Sequence, residues 1–135
     1  MASAAGLVAN PRMSVYCSSK WAVIGWSESL LLEMQSGHTG VNVTTVMPYY
    51  IKTGMFAGVS SSALLPLMVP EHAARGVVTA IEKNRPRLRM PWHVYVLPFL
   101  KGVLPSPIFD LVVGRLLGVY GGMDTFTGQQ SPNRS

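Results

Sequence analysis

Hydrophobic and polar positions divide the chain into stretches of different period. From Ser14 the run SVYCSSKWAVIGWSESLLLEMQ continues without proline. Trp21, Ile24 and Leu31 fall at near-helical spacing in it, and so do Ala22, Trp26, Ser29 and Leu30, which predicts a long helix packed on more than one side. Gly37 and Gly40, around His38 and Thr39, are its stop signal. GVNVTTVMP then sets Val41, Val43, Thr45 and Met47 on one side and Asn42, Thr44 and Val46 on the other. That mixed, β-branched run predicts an interior strand, ended by Pro48. After Pro70, EHAARGVVTAIEKN predicts a helix with Ala74, Val77, Val78 and Ile81 facing one way. Arg87 to Met90 reads as one short final strand. Leu111 to Tyr120, preceded by Pro107 and Asp110, reads as a last helix, whose apolar faces need the tail to fold back on the body. Residues 2–13 read as a strand end or loop of small residues. Residues 49–70 lack a period and carry Gly54, Gly58, Pro66 and the run Ser60–Ser62, as lids and binding loops do.

A helix followed closely by such a strand is half of a parallel βαβ unit. One or two strands cannot bury three or four helices, so the pattern predicts an α/β chain that forms part of a larger parallel sheet. Composition agrees. Of the 135 residues 48% are hydrophobic and only 13% charged, against roughly 25% in a typical soluble domain. Disordered, acidic and coiled-coil readings are excluded, and the chain either buries much of its length or leaves apolar surface exposed. The net charge is +5, with Lys83, Arg85, Arg87 and Arg89 close together and no acid among them. Such a patch suits an anionic lipid surface or a phosphorylated ligand, or is simply a solvated face. No aromatic stacking platform or recognition helix accompanies it, so nucleic acid is not an expected partner.

No window of 18 uncharged apolar residues occurs, and the first ten residues lack the basic start and apolar core of a secretory signal. Met90 to Leu100 and Gly102 to Phe109 are apolar but short and contain proline. Trp92, His93, Tyr95 and Lys101 give them rims that suit a membrane surface, a pocket wall or a subunit contact. The one cysteine, Cys17, has no intramolecular disulfide partner and no identifiable base. His38, His72 and His93 are too widely spaced to read as metal ligands, and no metal is expected.

The candidate chemistry lies on the first helix. Tyr16 and Lys20 are four residues apart, on one face and about 6 Å apart along the axis. Ser3 precedes Tyr16 by thirteen positions and is followed by Ala4, Ala5 and Gly6, so a turn there can bring its hydroxyl beside the phenol. A phenol is a poor base at neutral pH. An ammonium about 4 Å from a phenolate is worth roughly 4 kcal/mol at an effective dielectric near 20. That is enough to make such a phenol a usable proton donor and acceptor. Ser3 would hold the same substrate oxygen, and the fitting reaction is hydride transfer to a cofactor. The bland alternative leaves Tyr16 and Lys20 on an exposed helix and Ser3 in an ordinary loop.

Ser3-Ala-Ala-Gly6, Tyr16-Cys-Ser-Ser-Lys20 and Pro48-Tyr-Tyr-Ile-Lys-Thr53 resemble the second half of a short-chain dehydrogenase/reductase. LPFLKGVLP at 97–105 and GVYGGMDTF at 118–126 resemble its membrane-associated branch of retinol and 17β-hydroxysteroid dehydrogenases. The resemblance implies that Ser3 orients the substrate, Tyr16 is the general acid/base, and Lys20 binds the nicotinamide ribose and eases loss of the phenolic proton. It implies further that Pro48 and Thr53, with Tyr16 and Lys20, contact NAD or NADP. The loop 49–70 would be a lid, with Met55, Leu64, Leu65, Leu67 and Met68 against a lipid-like alcohol such as a retinoid, steroid or long-chain alcohol, or else simply packed. Tyr49 stands where many members of the family carry glycine.

Other expectations follow from the same resemblance. They include a homodimer through the Tyr16–Lys20 helix, an intracellular location, and peripheral contact with endoplasmic reticulum membrane or lipid droplets. Residues 1–128 would be the C-terminal portion of a Rossmann-like doubly wound parallel sheet, 91–128 an apolar C-terminal extension and 129–135 a disordered tail. The family's N-terminal dinucleotide-binding half carries a glycine-rich turn and a catalytic asparagine. The sequence has no G-x-G pair, so that half is expected to be absent and the isolated chain to be inactive, with weak cofactor binding at most. The alternative expectation is a non-catalytic interaction or lipid-surface module.

Overall fold

A computed structural model describes residues 1–52, 67–116 and 118–121. Its first long element, α1 (Ser14–Ser36), ends at Gly37, where the Gly37 N–H donates to the Glu33 carbonyl at 2.9 Å. His38 and Gly40 then take left-handed backbone, with φ of 49° and 74°. The expectation of packing on several sides is corrected. Cys17 and Ser27 are buried on a single inward face, while Trp26 is 66% exposed on the other side. Ser27 tolerates burial because its hydroxyl donates to the Val23 carbonyl at 2.7 Å.

Strand β1 (Thr45–Pro48) pairs in parallel with β2 (Arg87–Met90), Thr45 opposite Arg87 and Pro48 opposite Met90. All four β1 residues are buried. The strand expected from Val41 starts only at Thr45, whose N–H donates to the Pro86 carbonyl. Pro86 has no N–H with which to carry the ladder further back. Between the strands runs α2 (Pro70–Glu82), with Pro70 in its first turn, where the missing N–H costs nothing. Its buried face is also corrected. Ala73 and Ala80 are buried and Val77 packs beside them, whereas Ala74, Val78 and Ile81 are exposed. Close approach explains the choice of small residues, since a Cβ on Gly76 would stand 2.9 Å from the Met90 sulfur. Val46, Met68, Ala73, Ala80, Leu88 and Met90 form this core.

The segment 2–13 is no strand. Ser3 caps a 3-10 turn at Ala4–Gly6, and the Ala2 N–H donates to the Val46 carbonyl at 2.8 Å, on the edge of β1 facing away from β2. Beyond β2 a 3-10 turn (Trp92–Tyr95) leads into α3 (Val96–Val103), a helix the sequence pattern hid because Pro98 interrupts it. Pro98 lies in the first turn, where proline is tolerated. The helix expected over 111–120 begins earlier, as α4 (Ser106–Phe109), and continues as a wide helical turn over Asp110–Leu116. Gly118, with φ of 71°, then reverses the chain, so that Val119 joins Val8, Phe109 and Val113 in a second core. The tail does fold back. Residues 53–66 of the expected lid and the expected disordered tail at 129–135 lie outside the described residues.

The architecture is α/β with a small parallel sheet, consistent with part of a Rossmann-like core. Among the described residues no helix is long and apolar enough to cross a membrane.

Candidate active site

In a parallel sheet the crevice for ligands lies beyond the carboxyl ends of the strands. Here β1 delivers Pro48–Ile51 to that end, and β2 delivers His93, Val94 and, on α3, Leu97. These residues, with Ser3, Val8, Asn10, Tyr16 and Val119 among others, enclose a cavity of about 310 Å³. Its wall is mostly apolar.

Ser3 enters from the 3-10 turn. Its hydroxyl accepts from the Ala5 N–H at 3.2 Å and makes a long bond, 3.5 Å, to the Pro48 carbonyl. Gly6 makes the approach possible. A Cβ there would lie 2.7 Å from the Lys20 carbonyl oxygen and 2.6 Å from Ile24 Cδ1, so a side chain would lift the turn away from α1. Tyr16, in the first turn of α1, lines the same cavity. The Lys20 ammonium stands over the Tyr16 ring, 5.3 Å from its centroid, and Lys20 does not line the cavity.

Tyr49 and Tyr50 supply aromatic wall, their rings edge-to-face with centroids 4.8 Å apart. Burial, and then the neighbouring Tyr50, pushes the Tyr49 hydroxyl up to about 12, so it remains a neutral phenol. Burial also raises the Tyr50 phenol, opposed by the hydrogen bond from Asn10. Asn10 Nδ2 donates to the Tyr50 oxygen at 3.3 Å, and the Tyr50 hydroxyl lies 3.4 Å from Met13 Sδ. This small cluster fixes the Tyr50 ring in the wall of the pocket. His93 also lines the cavity, its ring 6.3 Å from that of Tyr49, and burial pushes its pKa down.

Of the residues singled out in the sequence, Ser3, Tyr16 and Pro48 meet in one cavity, with Lys20 behind the phenol ring. Met68, expected in the lid, is buried in the core, its N–H bonded to Tyr50 O and its carbonyl to Lys52 N. Leu67 is half-buried and does not line the cavity. Thr53, Met55, Leu64 and Leu65 lie outside the described residues. Sequence reasoning missed Asn10, Tyr50 and Val119. The apolar run through Val94 and Leu97 was the one signal that could have located part of the wall. Among the described residues no group of three His, Cys, Asp or Glu could hold a metal ion.

Hydroxyl-bearing residues, Ser3 and Tyr16 among them, around a mostly apolar cavity suit an alcohol or carbonyl oxygen carried on an apolar body. The short chain dehydrogenase pattern matches residues 1–64. Epidermal retinol dehydrogenase 2 of Mus musculus is 38% identical over 133 residues, covering 96% of this chain and 43% of the relative. Short-chain dehydrogenase/reductase 3 of Homo sapiens is 36% identical, covering 94% of this chain and 42% of the relative. Retinol dehydrogenase 10 of Homo sapiens is 33% identical, covering 96% and 39% respectively. The chain thus spans about two fifths of the length of these relatives. The serine and tyrosine of the cavity and the lysine behind the phenol ring fall inside the matched segment, and with these similarities the chain matches the short-chain dehydrogenase/reductase family and its retinol dehydrogenase relatives.

Proposed function

We propose that the cavity is the substrate site of an NAD(P)-dependent oxidoreductase that interconverts a lipid-like alcohol, such as a retinoid, steroid or long-chain alcohol, with its ketone or aldehyde. The observation that carries this reading is the pair of hydroxyls, Ser3 and Tyr16, lining one apolar cavity with the Lys20 ammonium behind the phenol. The apolar wall of Val8, Ile51, Val94, Leu97 and Val119 gives the lipid body its burial. In the oxidation direction the substrate hydroxyl passes its proton to the Tyr16 oxygen while its carbon gives up hydride; reduction reverses both transfers. Ser3 turns its hydroxyl from the weak bond to Pro48 toward the substrate oxygen. Lys20, its ammonium over the phenol ring, favours negative charge developing on the Tyr16 oxygen as the proton moves. When bound, NAD or NADP supplies the hydride acceptor. Tyr16, Lys20 and Pro48 fit its nicotinamide end, and Thr53 belongs with them by resemblance; no glycine-rich turn among the described residues fits a pyrophosphate. The test is cofactor-dependent turnover of a lipid-like alcohol by the full-length protein. Tyr16→Phe is expected to lower it at least a hundredfold, and unchanged turnover in that variant removes the reading.

A membrane-surface contact is proposed beside it. Trp92, Val96, Phe99 and Val103 recur at helical spacing on the outer side of the 92–103 segment, Trp92 76% and Phe99 68% exposed. With a net charge of +5, the fitting occupant is an anionic lipid surface. Phe99→Glu should then abolish co-sedimentation with phosphatidylserine vesicles. Vesicle binding that persists with Tyr16 and Lys20 replaced, in a protein without turnover, would favour a non-catalytic lipid-surface module. The outer side of α1, with Val15, Trp26 and Leu32 exposed, supports pairing of two copies, which sedimentation of Trp26→Glu would test.

A further inference from the structure

Ser3 can serve a substrate only if its turn is held at a fixed height above α1, and a three-residue turn has little packing of its own. Its backbone is held from outside. The Trp21 indole N–H donates to the Ala5 carbonyl at 3.1 Å. The Lys101 ammonium donates to the Leu7 carbonyl at 3.2 Å. The same ammonium stands over the Trp21 ring, 3.9 Å from its centroid. Three segments therefore meet at one point: the Ser3 turn, the residue of α1 next to Lys20, and α3. Lys101 is the only charged residue of α3, and it is spent on a carbonyl and an indole face.

We propose that Lys101 and Trp21 are positioning residues, which fix the Ser3 hydroxyl relative to Tyr16 and couple it to the apolar C-terminal segment. This rests on the dehydrogenase reading. The coupling has a direct route. Leu97, one helical turn before Lys101, lines the cavity, and so does Val8, the neighbour of Leu7. A lipid body packed on Leu97 and Val8 thus bears on both ends of the Lys101–Leu7 bond. Binding of the apolar part of the substrate and placement of Ser3 at its oxygen become one event. Burial lowers the pKa of Lys101, consistent with an ammonium partly withdrawn from water at this junction.

The test uses Lys101→Met, which keeps the aliphatic stem and removes the charge and donor, with Lys101→Arg as the conservative rescue. Amide hydrogen exchange is read at Gly6 and Leu7, whose N–H groups close the turn, and at Thr45 and Tyr49 of the sheet as controls. Expected in Lys101→Met is faster exchange at Gly6 and Leu7 with the controls unchanged. In the full-length protein kcat should fall about three- to tenfold, with KM for cofactor unchanged. Lys101→Arg should restore both readouts. Trp21→Phe, which keeps the ring but loses the N–H, should loosen the turn less. Unchanged exchange at Gly6 and Leu7 overturns the proposal, as does equal acceleration at turn and sheet, or normal kcat with a loosened turn. Failure of the dehydrogenase reading shows itself separately, as full turnover in Tyr16→Phe.

Discussion

Tyr49 shows how one residue sets the character of the pocket. At the end of β1, where many members of the family carry glycine, it places a ring in the wall and keeps its hydroxyl neutral up to about pH 12. Because that value lies above the unfolded 10, the neutral phenol stabilises the fold below about pH 10, and the contribution is lost as pH rises toward 12. Tyr120 behaves likewise for a different reason: its hydroxyl bonds Asp110 at 2.5 Å, and that hydrogen bond is the first cause of a value near 12. Absorbance at 295 nm should show tyrosine ionisation continuing to about pH 12. Tyr49→Phe should remove part of the late phase, and Asp110→Asn should move Tyr120 earlier. A single tyrosine titration with its midpoint near pH 10 in the folded chain would contradict these environments. His93 acts in the opposite sense. Burial lowers its pKa below 6.5, so the stability of its neutral form is present above that pH and lost on acidification. His93→Phe should therefore flatten the acid limb of a stability profile, and an unchanged limb would contradict this.

Among elements, the contact between the Ser3 turn and α1 is the most sensitive to sequence. Gly6→Ala would press a methyl onto the Lys20 carbonyl, and backbone cannot yield as a side chain can. A loss of about 1–3 kcal/mol in urea unfolding is expected, together with slower turnover, because the turn that lifts away carries Ser3. Gly76→Ala meets only the flexible end of Met90, and alanine favours α2 by roughly 1 kcal/mol. Its net effect should be smaller than that of Gly6→Ala; equal losses would show that close approach is not what selects Gly6. The same elements show what can be read from the chain. Helices α1 and α2 were legible because neither run carries a proline beyond its first turn. The buried face of α2 was misjudged because the period favours large apolar residues, while the sheet selects small ones. The strand was drawn four residues too long because alternation says nothing of how far its partner runs. Pro98 concealed α3, although proline in a first turn is compatible with a helix.

For the molecule as a whole, the spacing of Ser3, Tyr16 and Lys20 was legible, but the full lining of the cavity was not. Part of its wall comes from Val94, Leu97 and Val119, over seventy positions beyond Tyr16; the apolar faces of the C-terminal segment implied that it folds back, but no local pattern shows that it covers the strand ends. Phe109 anchors that segment, buried with Val8 and Val113 in the second core. Phe109→Ala is expected to cost about 3–5 kcal/mol and, by freeing the segment, to abolish binding of lipid-like alcohols before the sheet unfolds. Simultaneous loss of segment and sheet would mean that the two cores are one cooperative unit. The central claim is that a single pocket unites an apolar wall with the proton-transferring phenol of Tyr16. Single-turnover hydride transfer from a deuterated lipid-like alcohol to NAD or NADP, followed at 340 nm in the full-length protein and in Tyr16→Phe, tests it most directly. Transfer that is slowed by deuterium in the unaltered protein and falls at least a hundredfold in the variant is the predicted result. Equal rates in the two proteins would contradict it.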